Sequence, residues 1–199
     1  MKHITFYLDF VSPYAYLAFE KLPQALLGLS YCITYKPVLL GALLRHHGQL
    51  GPAEIPAKQA WLYRHVQWLA QQQQLPLQRP GVHPFNPLPL LRLALACKTK
   101  GTPSRFVCET LFRHVWQSSA DALAPARLQN LHTQLNPQAD ANSPAIKAQL
   151  RTNTDEAIAL GVFGVPSLLV DGHLFWGLDA LGMLVDYLQG AREGLQNGL

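Results

Sequence analysis

The sequence predicts a mixed α/β fold in which one small sheet is interrupted by a large all-helical insertion. Residues 1–38 show a strand, a helix and a second strand, and residues 151–199 show a helix, a two-stranded hairpin and a closing helix. Residues 39–150 carry only helical patterns. We therefore expect the two end segments to share one sheet, with segment boundaries at 1–38, 39–150 and 151–199.

The first segment is a strand–helix–strand unit. His3–Asp9 is an apolar run that favours a buried strand, and Tyr31–Lys36 alternates in the manner of a second strand. An amphipathic helix extends from Pro13 to about Leu27, with Ser12 in the N-cap position before it. A helix between two strands favours a parallel pair with a right-handed crossover.

Helical periodicity recurs along the insertion, interrupted by loops rich in glycine and proline at Gly48–Pro56 and Pro76–Pro87. The predicted helices run from Gly41 to His47, Lys58 to Gln74, Asn86 to Lys100, Thr102 to Gln117, Asp121 to Asn136 and Ser143 to Leu160. Gly101 fits the residue that follows a helix C-terminus.

The last segment returns to strands. Ser167–Val170 and His173–Trp176 flank an Asp-Gly pair, which is a strong signal for a β-hairpin. Leu178–Gln189 closes this region as a predicted helix.

Cysteine usage indicates a reducing compartment. Cys32, Cys97 and Cys108 have neither CxxC spacing nor an even pairing, so we expect small buried apolar residues in a cytoplasmic protein.

Charge and composition restrict the partners. The net charge of +4 comes from scattered basic residues, which does not favour a nucleic-acid surface. No apolar stretch reaches the ~18 residues that a membrane span requires. The histidines lack metal-ligand spacing, so we expect no metal cofactor. From the charge and the apolar stretches we expect no nucleic-acid partner and no membrane.

The segment around Ser12 is suited to hold an anion or a thiolate. A strand stops there at a Ser-Pro pair and a helix begins at once. Free backbone N–H groups and the positive end of the helix dipole favour negative charge at such a point.

Several motifs give the chain a resemblance to a known family. They are residues 6–18, 51–58, 86–88, 153–157, 161–166, 171–172 and 175–179. The arrangement resembles the thioredoxin-like fold with a helical insertion, as in the DsbA type. More narrowly, the chain resembles the 2-hydroxychromene-2-carboxylate isomerase family, bacterial relatives of the kappa-class glutathione transferases.

The redox pair of a dithiol oxidoreductase is missing. Such an enzyme needs one cysteine to attack and another to resolve, at the start of this helix. The four residues in that place are Ser12-Pro13-Tyr14-Ala15, so disulfide exchange at this site is excluded. Ser12 is open to two interpretations, a helix cap and a hydrogen-bond donor to the thiolate of bound glutathione, and one residue can serve as both.

The resemblance implies glutathione as cofactor and a set of contacts for it. They are Ser12, Val165, Pro166, Trp176, Gly177, Leu178 and Asp179. Pro166 is expected to be cis, with the Val165 backbone pairing with the cysteinyl unit of glutathione as an added strand does. Asp179 is expected to bind the γ-glutamyl amine; the alternative is an ordinary acid in the first turn of a helix.

The insertion is expected to supply the pocket for a second, aromatic substrate. Arg45, Lys58 and Asn86 are candidates for holding a carboxylate or an oxyanion, and each is also a common solvated or capping residue.

The helix that carries Lys58 also has a stripe of aromatic residues. Trp61, His65 and Trp68 fit either an aromatic pocket or the core. This stretch departs from the family pattern, which has an acid near position 65 and an arginine near 68, and the departure concerns the electrophile more than glutathione binding. Arg92, in an apolar helix, is expected to pair internally.

Three functions follow as hypotheses. The first is a homodimeric isomerase that converts 2-hydroxychromene-2-carboxylate to trans-o-hydroxybenzylidenepyruvate by reversible addition of the glutathione thiolate. The second is a kappa-like glutathione transferase or peroxidase. The third is a thioredoxin-like binding module without catalysis.

Overall fold

The protein contains one four-stranded mixed sheet. The computed structural model describes residues 1–97 and 101–190. The strands are β1 (Lys2–Leu8), β2 (Tyr31–Pro37), β3 (Ser167–Val170) and β4 (His173–Trp176), in the order β2-β1-β3-β4. β1 and β2 are parallel, as the strand–helix–strand pattern predicts, and the other pairs are antiparallel. The two end segments therefore share one sheet, as expected.

Eight α-helices surround the sheet in the described residues. They are α1 (Pro13–Ala25), α2 (Leu40–His46), α3 (Pro56–Gln72), α4 (Leu88–Ala96), α5 (Arg105–Trp116), α6 (Pro125–Leu135), α7 (Pro144–Ala159) and α8 (Leu181–Leu188). Each predicted helix is present. A short 3₁₀ turn, Pro52–Glu54, lies in a loop where no helix was predicted.

The helix boundaries differ from the predictions where side chains or prolines set them. α6 begins at Pro125 rather than Asp121, because the Asp121 carboxylate accepts a hydrogen bond from Leu123 N–H and forms a turn. α8 begins at Leu181, three residues later than predicted. The predicted end of α4 near Lys100 lies outside the described residues, and Cys97 is the C-cap.

One hydrophobic core joins the sheet and the insertion. Phe6 and Phe19 belong to β1 and α1, and Phe19 contacts Phe112 of α5 with ring centroids 5.1 Å apart. Phe112 also contacts Phe10, at 4.9 Å. The boundary predicted at residue 150 falls inside α7. The insertion is therefore separate in chain order but continuous in packing.

No helix of the described region has the length and apolar character needed to cross a membrane. Cys32, Cys97 and Cys108 are all free.

Candidate active site

Ser12 sits at the junction of β1 and α1. It has extended backbone dihedrals and is the N-cap of α1, with Pro13 in the first helical position. Its Oγ accepts a hydrogen bond from Ala15 N–H at 3.2 Å and donates one to the Val165 carbonyl at 3.3 Å. The distance to the Val165 carbonyl exceeds the usual range for an O–H donor, so this O–H can turn toward a stronger acceptor.

Val165 and Pro166 lie directly against this helix start. Ser12 and Val165 are 153 residues apart in the chain, yet their hydrogen bond joins them. The Val165–Pro166 peptide bond is cis, as the resemblance implied. The Pro166 carbonyl accepts a hydrogen bond from Gly177 N–H at 2.9 Å, which brings the end of the β3–β4 hairpin to the same place.

A cavity of about 670 Å³ opens beside Ser12. Its walls come from the start of α1, from α2, from the loop 49–54, from residues 83–87 and from the segment before β3. Most of the lining is apolar or aromatic. The polar side chains in it are Ser12, Tyr14, Gln49, Glu54, His83 and Trp176. A mainly apolar cavity with a few polar groups is typical of a small-molecule site.

The end of β4 forms one edge of the cavity. Trp176, its last residue, lines the cavity, and its ring lies 4.8 Å from that of Phe163. Gly177, Leu178 and Asp179 follow it and are not among the lining residues. Gly177 has φ +100°, and a Cβ there would lie 2.3 Å from Asp179 Oδ1, so only glycine fits. Leu178 is buried. Asp179 lies in the turn before α8 rather than in its first helical turn, which corrects that alternative interpretation.

Asp179 and Tyr14 are electrostatic neighbours. Burial, and secondarily the negative charge of Asp179, raise the pKa of the Tyr14 hydroxyl above its ordinary value. The carboxylate in the turn before α8 thus influences Tyr14, a cavity residue at the start of α1.

The three residues predicted to hold the second substrate are not in the cavity walls. Arg45, Lys58 and Asn86 are all exposed and absent from the lining. In α2 it is Leu44 that lines the cavity, and Arg45 lies about 100° further round the helix. The Asn86 carboxamide accepts a hydrogen bond from Leu88 N–H at 3.1 Å, the capping role that was its alternative. The three assignments stay predictions without support from the cavity.

The fold and the site can be compared with known proteins. The family description "DSBA-like thioredoxin domain" matches residues 3–189. The chain belongs to this family. It lacks the cysteine pair at the helix start, where Ser12 and Ala15 stand instead.

Individual similar proteins narrow the comparison. The chain is 29% identical to a 2-hydroxychromene-2-carboxylate isomerase of Sphingobium xenophagum, over 94% of this chain and 98% of the relative. It is 26% identical to glutathione S-transferase kappa 2 of Caenorhabditis elegans, over 94% and 92% of the two chains. A solved 2-hydroxychromene-2-carboxylate isomerase superposes with a TM-score of 0.83 at 22% identity, covering 99% of this chain and 100% of that one, which shows the same fold.

His83 is a cavity residue that sequence reasoning missed. Its Nε2 lies 2.8 Å from the Val11 carbonyl, and its Nδ1 lies 2.7 Å from the Tyr63 hydroxyl. Because a carbonyl only accepts, Nε2 carries the hydrogen and Nδ1 accepts from Tyr63. Burial lowers the pKa of His83, so the imidazole is neutral. The only sequence signal was its place beside the Asn86-Pro87-Leu88 motif.

Asp9 was also missed, although it lies three residues before Ser12. Its fully buried carboxylate accepts hydrogen bonds from Val11 N–H at 3.1 Å and Leu40 N–H at 2.9 Å. Burial raises its pKa from 3.8 to about 7, against these bonds. Asp9 therefore ties the Ser12 loop to the start of α2. In the sequence it only interrupts an apolar run.

The aromatic stripe of α3 is neither core nor cavity wall. Trp61 and Trp68 are exposed and stack on either side of His65, with interplanar angles of 17° and 13°. His65 Nδ1 lies 2.9 Å from the Tyr14 hydroxyl, so the stripe fixes a cavity residue from outside.

The internal pairing expected for Arg92 is not found among the described residues, where its buried Nε has no partner.

Proposed function

We propose that this protein is a glutathione-dependent isomerase that adds the glutathione thiolate reversibly to an unsaturated aromatic substrate. The observation that carries the proposal is the Ser12 hydroxyl at a helix start, facing an aromatic-lined cavity where redox members of the family need cysteine. The names of the relatives support glutathione and isomerase chemistry.

The proposed place of glutathione follows from the groups around Ser12. Its thiolate accepts the Ser12 O–H and lies near the first N–H groups of α1, where the helix dipole favours negative charge. Its cysteinyl unit pairs with the Val165 backbone beside Pro166. Its γ-glutamyl amine binds Asp179, and residues 176–178 flank it.

The proposed reaction needs no redox change. The thiolate sulfur forms a bond to the β carbon of a conjugated C=C bond, and the electron pair of that bond moves to the carbonyl oxygen. The former double bond then rotates. The electron pair returns, the C–S bond breaks, and glutathione leaves unchanged. In 2-hydroxychromene-2-carboxylate, a cyclic hemiketal, the ring C–O bond first breaks and the hydroxyl proton passes to the phenol oxygen. This leaves a ketone conjugated with the C=C bond, to which the thiolate then adds. The product after rotation and loss of glutathione is trans-o-hydroxybenzylidenepyruvate, and this is the reaction to be assayed first.

A kappa-type transferase is the second candidate, because the relatives include transferases of that class. A transferase would leave glutathione attached to the electrophile, and a peroxidase would oxidise glutathione while reducing a peroxide. Measuring free thiol during turnover separates the two, since an isomerase leaves the thiol concentration constant.

A homodimer in a reducing compartment completes the proposal, and light scattering during size-exclusion chromatography tests the dimer.

Ser12→Ala tests the role of the hydroxyl. We expect the pKa of bound glutathione to rise and turnover to fall by about 100-fold, because one charge-assisted donor to the thiolate is lost. The ultraviolet absorbance of the thiolate, followed against pH in the complex, measures the pKa. Loss of the cap also costs about 1 kcal/mol of stability.

Ser104→Ala is the matched control. Ser104 caps α5 by accepting a hydrogen bond from Val107 N–H at 3.3 Å, and it lies outside the cavity. This variant should lose similar stability and keep full turnover. Full turnover in Ser12→Ala would refute the thiolate role, and absence of saturable glutathione binding by the unaltered protein would favour the binding module.

A further inference from the structure

We infer that the second substrate of this cavity is an uncharged aromatic electrophile, and that Glu54 selects against a carboxylate. The inference rests on the proposed thiolate position at Ser12. The inferred substrate differs from 2-hydroxychromene-2-carboxylate, the compound in the names of the isomerase relatives, which is a carboxylate. Among the described residues, no lysine or arginine lines the cavity, and Glu54 is the single acid that does.

The polar groups of the walls cannot supply a positive charge. His83 is the one histidine of the described lining, and both of its ring nitrogens already have partners in Val11 and Tyr63. Burial, together with the nearby charge of Arg79, keeps this imidazole neutral. Gln49, Tyr14 and Trp176 are uncharged donors. An anionic substrate would therefore lose hydration without gaining an ion pair, which is unfavourable.

Besides the lack of a cation in the walls, the charge of Glu54 repels a substrate carboxylate. Within the described residues, the Glu54 carboxylate forms neither a hydrogen bond nor an ion pair. Its Oε1 lies 3.6 Å from the point that a Cβ on Gly51 would occupy, so the side chain folds back along the cavity wall. Among the described residues no cationic side chain pairs with this exposed carboxylate, and like charges brought together oppose binding.

The helix start does not compensate for a second anion. The positive end of the α1 dipole favours negative charge, and the glutathione thiolate takes that position. The starts of α2 and α4 also border the cavity, but their first N–H groups are already bonded: Leu39 to Thr154, Leu40 to Asp9 and Leu88 to Asn86. A substrate carboxylate would then meet both the thiolate and Glu54. The remaining walls, including Leu44, Leu62 and Phe85, suit an apolar ring.

A matched pair of enones tests the inference. Benzylideneacetone and benzylidenepyruvate share the phenyl ring and the enone, and differ in a methyl group against a carboxylate. In both, glutathione sulfur bonds to the β carbon, the C=C electron pair moves to the carbonyl oxygen, and the α carbon takes a proton from water. Each enzymatic kcat/KM is divided by the rate constant with free glutathione, which removes intrinsic reactivity.

We expect this normalised rate to favour benzylideneacetone by about tenfold or more. Glu54→Gln should reduce this preference several-fold by raising the normalised rate for benzylidenepyruvate. Asp155→Asn is the control, because Asp155 is also exposed but lies outside the cavity, and it should leave the preference unchanged.

Two results would overturn the inference: an equal or greater normalised rate for benzylidenepyruvate, or a specific loss of that rate in Lys58→Ala or Arg45→Ala. The first would show that the cavity walls do not disfavour a carboxylate, and the second that a cation reaches the cavity. Failure of the proposed function has a different signature, because glutathione then neither binds in calorimetry nor adds to either enone, and this refutes both proposals.

Discussion

Ser12 uses both hydrogen-bonding capacities of its hydroxyl within the free protein, accepting from Ala15 and donating to Val165. A thiolate bound in front of it would compete only with the Val165 carbonyl, an uncharged acceptor at 3.3 Å. Because a charged acceptor forms the stronger bond, the O–H can turn to sulfur while the bond from Ala15 N–H and the helix cap remain. The cap and the proposed chemistry are therefore compatible in one side chain.

The pKa of Asp9 makes a prediction about stability and pH. The folded protein raises this pKa from 3.8 to about 7, so it binds the Asp9 proton more tightly than the unfolded chain does. The stability that follows is full below about pH 4 and is lost as the pH rises to about 7. Asp9→Asn carries no such proton, so its free energy of unfolding should lack this decline.

Urea unfolding of both proteins near pH 4 and near pH 8 measures the effect, since these values lie either side of the titration. Near pH 4 the free energy of unfolding of Asp9→Asn should be lower than that of the unaltered protein. A carboxamide has one acceptor oxygen, whereas Asp9 accepts from both Val11 and Leu40. The deficit of the variant should shrink at the higher pH. A deficit that is the same at both pH values would contradict the raised pKa.

At the scale of elements, the site is assembled from ends. The end of β1, the start of α1, the segment before β3 and the turn after β4 meet around Ser12. The first two pieces belong to β1 and α1, and the other two adjoin β3 and β4, so their positions follow from the sheet register and from the packing of α1. The insertion closes the other side through α2 and the loops at 49–54 and 83–87.

Gly164→Ala tests this assembly. A Cβ at Gly164 would lie 2.8 Å from Trp176 Nε1, and the half-exposed indole has to move away. We expect little loss of stability but about tenfold weaker glutathione binding, because small displacements of positioning groups are costly. Isothermal titration calorimetry measures the affinity without relying on the fluorescence of the displaced tryptophan.

Gly182→Ala is the control for this change. Gly182 lies inside α8, and a Cβ there meets no atom within 4 Å. Alanine should raise stability by up to about 1 kcal/mol and leave glutathione affinity intact. Equal affinity in Gly164→Ala and Gly182→Ala would show that Trp176 is not a glutathione contact.

For the whole molecule, the thiols show how far the protein lies from dithiol chemistry. Cys97 and Cys108 are buried, and burial raises the pKa of Cys97 to about 11 and that of Cys108 well above its ordinary value. Cys32 is half-buried on β2, away from the cavity. None of the three lies in the walls beside Ser12.

Alkylation should therefore discriminate among the cysteines. In the native protein we expect iodoacetamide to modify Cys32 alone and to leave turnover unchanged, with Cys97 and Cys108 reacting only after unfolding. Peptide mass spectrometry locates the label. Loss of turnover on labelling, or disulfide reductase activity that depends on any of the three cysteines, would contradict an exogenous thiol as the nucleophile.

Local pattern was enough for much of this protein. The strand and helix order, the hairpin at Asp171-Gly172, the cap at Ser12 and the absence of a cysteine pair are properties of neighbouring residues, so the sequence alone determined them. Helix ends were less certain. At Asp121 a single side-chain hydrogen bond moved the start of α6.

The tertiary structure alone decided which residues share the cavity. Whether Leu44 or Arg45 lines it depends on how α2 is rotated against its neighbours, and no local pattern contains that information. The neutral state of His83 and the raised pKa of Asp9 likewise arise from burial by distant segments. Sequence identified the place where a thiol is missing, and long-range packing determined the charge of the space in front of it.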